Sequence, residues 1–85
     1  MAKTQPGRAP VSEQNRLYEA GDDTNDRLIK AYLEYYKHNE LFEKRHSVRN
    51  YRHTRRWLRE ITYLAKQRQR EVADEWEAER VRKGL

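Results

Sequence analysis

The sequence predicts an all-α fold, a helical hairpin with a short N-terminal helix and a long C-terminal one, on three observations. Apolar residues recur at helical spacing, not in strand alternation. No glycine or proline interrupts residues 22–83. Residues suited to helix caps stand at the expected breaks.

Residues 1–10 hold both prolines, Gly7 and two basic residues without apolar periodicity. They read as a flexible basic arm ahead of a single small helical domain over 11–85. Ser12 is placed to cap a short helix that carries Leu17 and Tyr18 and ends at Gly21. Asp22, Asp23 and Thr24 offer caps for the second helix, and Asp26 adds negative charge to its first turn, where the helix dipole favours it. That helix is expected from about Thr24 to Lys44. Leu28, Ile29, Tyr32, Leu33, Tyr35, Tyr36 and Phe42 cover roughly half its circumference, an arc too wide for one neighbour. His46 and Ser47 mark the expected break, with Ser47 capping a third helix that continues to about Lys83; one unbroken helix through the junction is the alternative. At 1.5 Å per residue the second helix is about 30 Å long and the third about 53 Å, so an antiparallel hairpin leaves the last turns of the third uncovered. The first helix is expected to cover that end, placing Leu17 and Tyr18 on Val72 and Trp76. Failing that, Trp76 is left for a partner chain.

Eighty-five residues, 39% of them charged, bury only a thin core. The absence of cysteine excludes disulfides, thiolate metal sites and a cysteine nucleophile. No apolar run suits a signal peptide or a membrane span, so a cytoplasmic protein, or one carried inside a larger particle such as a virion, is expected. The net charge of +5 conceals a sorting along the chain: residues 11–43 carry −4, residues 44–70 carry +9 and residues 71–85 carry −2. A basic block of this kind favours an acidic partner.

Within that block Arg45, Arg49, Arg52, Arg56, Arg59, Lys66 and Arg70 recur at helical spacing, with Tyr63 filling the gap. On a helix they share an arc of about 100° and span about 37 Å, close to one turn of duplex. Arginine dominates the row, which suits bidentate contacts to phosphate. Tyr51, Thr54, Leu58, Ile61, Ala65, Val72 and Trp76 form the opposite face and are expected to be buried. The only acid in residues 44–70 is Glu60, so pairs at i, i+4 do not account for the charge. The bland alternative is a solvated helix face. Trp57 and Leu64 fall at the edge of the expected buried arc, Leu41 outside that of the second helix; with Trp76 they are the candidates for a protein interface. Beyond Arg70 the face turns acidic at Glu71, Asp74, Glu75, Glu77 and Glu79, which suggests either charge balance at a solvated end or head-to-tail self-association.

Residues 47–61, SVRNYRHTRRWLREI, superficially resemble the recognition helix of helix-turn-helix proteins, in which Thr-x-Arg-Trp-Leu strings are frequent. Lys44 and Arg45 depart from the small and aliphatic residues that pattern requires before the turn, and the turn has no glycine. The resemblance therefore implies contacts to phosphate rather than sequence-specific base reading. Glu43 and His46 match a Glu-x-x-His spacing, but a carboxylate-bridged metal centre needs a second copy. His38, His46 and His53 share no face at i, i+4 spacing. Ser12 and Ser47 read as caps, and no Gly-rich phosphate loop is present. No cofactor, metal, small-molecule substrate, membrane or catalysis is expected. The favoured function is non-catalytic binding of nucleic-acid backbone, DNA or RNA. The alternative is an assembly component, of a phage particle or a ribonucleoprotein for example, that docks on an acidic protein surface or self-associates.

Overall fold

A computed structural model describes residues 8–84. Helix α1 spans Val11–Leu17, α2 spans Thr24–Lys44 and α3 spans Val48–Lys83, with no strand among the described residues. The fold is the all-α hairpin with a short leading helix.

Local chemistry sets the boundaries. Asp23 caps α2 by accepting the Asp26 amide, and the Asp26 carboxylate accepts the Asp23 amide in return, a reciprocal box that satisfies two otherwise orphaned donors. The chain breaks at residues 45–47. Ser47 caps α3 by accepting the Asn50 amide, while the Asn50 side chain donates to the carbonyls of Leu41 and Arg45 and closes the end of α2. Gly84 ends α3 in the left-handed region, at φ 71°, where a side chain would be strained. The first helix differs from expectation. It follows Pro10 without a side-chain cap, encloses Ser12, and ends at Leu17, well before Gly21. Tyr18 is extended, and its hydroxyl is drawn to α3 instead.

Helices α2 and α3 run antiparallel: the Thr24 hydroxyl donates to Glu71 at one end, and Asn50 reaches Leu41 at the other. A small buried cluster of Ala9, Ala31, Trp57 and Leu64 joins them, flanked by Leu17, Tyr18, Leu28, Tyr35, Ile61 and Tyr63. Three expectations are corrected here. Trp57 and Leu64, read as interface candidates, are core residues. Tyr51, Leu58, Val72 and Trp76, read as core, are exposed. The buried arc of α3 is thus turned by roughly 90° toward the basic side, at 100° per residue. Within the turned arc lies Glu60, which is fully buried and accepts three hydrogen bonds, two from Arg8 at 3.0 and 3.2 Å and one from Tyr18 at 2.6 Å. Arg8, from the stretch read as a flexible arm, is half-buried, and Ala9 beside it is enclosed; residues 1–7 of that stretch lie outside the described residues.

The third correction concerns α1. Glu13 pairs with Arg56 at 2.8 Å and Tyr18 with Glu60, so the N-terminal segment crosses the middle of the hairpin and not its far end. The last turns of α3 project beyond α2 and carry Trp76 at 59% exposure.

Candidate functional site

The basic row lies along α3 from its first turn, except for Arg45, which sits in the connection and ends α2 with extended backbone and an amide bonded to the Leu41 carbonyl. Arg49, Arg52, Arg59, Lys66 and Arg70 are exposed and form no ion pair among the described residues. Two members of the row are engaged. Arg56 is half-buried in its pair with Glu13, and Tyr63 lies under the Arg8 guanidinium, 3.7 Å from the ring centroid, where the cation meets the π face.

The structure adds two residues that the sequence reading passed over. Arg55 stands about 20° outside the row's arc and is exposed between Arg52 and Arg59, donating to the Tyr51 hydroxyl at 2.8 Å. Its i+4 spacing to Arg59 was the available signal. Arg8 approaches from the N-terminal segment. Together Arg8, Tyr51, Arg52, Arg55, Arg56 and Arg59 line an open cleft of about 390 Å³, five guanidinium groups around one concavity. Such a cluster suits an anion with several oxygens, because each planar guanidinium presents a fork of donors.

The acidic continuation of the row is largely neutralised within the helix. Glu71 and Glu75 pair with Arg68, Glu77 with Arg80, and Glu79 with Arg82 and Lys83. The Thr24 hydroxyl, then Arg68 and Gln67, hold the Glu71 carboxyl below its ordinary range; Arg80 does the same for Glu77. The interface candidates do not converge. Leu41 and Trp76 are exposed at opposite ends of the hairpin, and Trp57 and Leu64 are enclosed between the helices.

Near the middle of the hairpin the His38 and His53 rings stack with centroids 4.9 Å apart, across α2 and α3. They border a second cleft, of about 420 Å³, with Glu13, Arg16, Glu34 and Arg49. Burial, and then the charge of His38, push the His53 pKa down. Spacing within one helix cannot reveal a contact between two. No group of three metal-ligating side chains comes together among the described residues, and no helix there is long and apolar enough to cross a membrane.

No family model matches this chain, and no curated protein or solved structure matches it either.

Proposed function

We propose that the chain is a non-catalytic binding protein that holds the backbone of nucleic acid, DNA or RNA, against the exposed arginine face of α3. One observation carries the reading. The only acid of residues 44–70, Glu60, is withdrawn into the core, where Arg8 pairs with it and the Tyr18 hydroxyl donates to it. The outer face is left with Arg49, Arg52, Arg55, Arg59, Lys66 and Arg70 and no carboxylate of its own in that stretch. Condensed counterions released from phosphates reward that arrangement, whereas a solvated face gains nothing from it. Lacking a glycine turn and the required small residues, the hairpin supports positioning on phosphate and not base reading. The compartment that goes with this activity is the cytoplasm or the interior of a nucleoprotein particle. Docking on an acidic protein surface is the second reading, and it uses the same face.

The test is a binding titration on a random-sequence duplex across salt concentration. Four or five phosphate contacts give a slope of log K against log salt of roughly −4. Changing Arg52 and Arg59 together to Gln flattens it by about 2, while Arg56→Gln changes it less, because Glu13 already holds that guanidinium. A slope unmoved by the double substitution excludes this face as the nucleic-acid site.

A further inference from the structure

We propose that the outer face of α2 is the contact between two copies of this chain, packed antiparallel about a two-fold axis. Ile29, Tyr32, Leu33 and Tyr36 are each between 51 and 62% exposed. They form a stripe at i, i+3, i+4, i+7 turned by about 150° from Ala31, the residue of α2 in the buried cluster. Four large apolar side chains so exposed outnumber the two, Trp57 and Leu64, that the buried cluster contains. A contiguous stripe of this kind marks an interaction surface rather than scattered exposure.

The charges beside the stripe point to a second copy as the occupant. Positions 29 and 36, and positions 32 and 33, are symmetric about one midpoint, so an isologous contact can lay the stripe on itself. In the antiparallel register that superposes the two midpoints, Ile29 meets Tyr36 of the second copy, and the two Leu33 side chains flank the axis. Two-fold symmetry brings like flanks together. Asp26 and Lys37 share one flank of the stripe, so each Asp26, whose carboxylate also caps α2, falls about 3 Å along the axis from Lys37 of the second copy, which would exchange its exposed pair with Glu34 for this one. Glu40 stands level with the Asn25 amide. The pairing closes on itself, giving a dimer and not a fibre.

The area sets the strength. Eight side chains, each about half exposed, supply roughly 800 Å². With their polar flanks the contact comes near 1,200 Å², the lower bound for specific interfaces. The dimer is therefore expected to be reversible at micromolar concentration.

Sedimentation equilibrium on the full chain, without nucleic acid, tests this independently of the proposed function. A monomer–dimer equilibrium is expected between micromolar and millimolar protein. Ile29→Glu with Leu33→Glu should raise the dissociation constant by at least about 100-fold and leave the helical signal unchanged, both side chains being exposed. In a chain without cysteine, Leu33→Cys gives a second readout that does not rest on the Glu variant folding. Mild oxidation should link Leu33→Cys into dimers, and Trp76→Cys should remain monomeric. A wild type that is monomeric throughout, a double Glu variant that still dimerises, or cross-linking at position 76 in place of 33 would each overturn the proposal.

Discussion

At the scale of single residues, the fold turns on Glu60. An ionised carboxylate in a core this thin costs several kcal/mol unless it is paired and hydrogen-bonded, and Arg8 and Tyr18 supply both. Burial and the hydrogen bond to Glu60 in turn push the Tyr18 pKa up, so its hydroxyl stays a donor. Arg8→Ala should cost about 3–5 kcal/mol in urea denaturation, because the charge stays behind without its partner. Replacing all three, as Arg8→Ala, Tyr18→Phe and Glu60→Leu, should restore the stability or exceed it. A loss below about 1 kcal/mol for Arg8→Ala alone would show that Glu60 is not held as a buried anion. The sequence carried one hint of this, a lone acid in a basic stretch, but its partners lie 42 and 52 residues away, beyond the reach of helical spacing. The stacked histidines give a pH signature. Burial and the facing His38, followed by Arg56, lower the His53 pKa from 6.5. Below pH 6.5 the unfolded chain binds a proton that the folded chain refuses, so this contribution is fully present above pH 6.5 and is lost progressively as pH falls from there through the lower folded pKa. His53→Gln should reduce the loss of stability between neutral and mildly acidic pH, as measured by thermal melts.

Helix ends are local events, and those of α2 and α3 were readable, unlike those of α1, which has no side-chain cap. Asp23 with Asp26, and Ser47 before α3, are caps whose partners lie three residues away, and the limits of α2 and α3 follow from them. Helix rotation is not local. Apolar spacing pointed to Leu58, Ile61 and Ala65 as the centre of the buried arc of α3, whereas Trp57, Glu60 and Leu64 occupy it. A carboxylate counted as polar shifts any such estimate away from itself. The position of α1 was equally out of reach, since it depends on Glu13 meeting Arg56 and Tyr18 meeting Glu60. With α1 at the middle, the end of α3 meets no other helix among the described residues, and Glu77 and Glu79 pair within it, while Glu75 reaches back to Arg68. Exposed pairs of that kind contribute little. Removing residues 73–85 should therefore shift the melting temperature by no more than a few degrees, while the far-UV helical signal falls by about a sixth. A large drop in melting temperature would mean that the overhang is buried in an assembly.

For the molecule as a whole, shape and charge act together. The chain measures 55 × 33 × 22 Å, with α3 unbroken over 36 residues. A continuous helix without proline or glycine holds its side chains at fixed spacing, so the basic row is a ruler and not a flexible tail. The charge sorting that prompted the binding reading was visible in the sequence. Which cations remain outward was not, because Arg8 and Arg56 are engaged by carboxylates from distant segments while Arg55 joins the exposed set. From the first turn of α3 to Arg70 the exposed cations extend over about 30 Å, close to one turn of duplex. Affinity for duplexes of increasing length, corrected for the number of binding positions, should then rise steeply up to about 10 base pairs and level off beyond. A flexible basic tail would gain no such break, since it can gather phosphates from any arrangement. A plateau near 5 base pairs would confine the contact to the cleft around Arg52, Arg55 and Arg59, and Lys66→Gln with Arg70→Gln would then leave affinity unchanged.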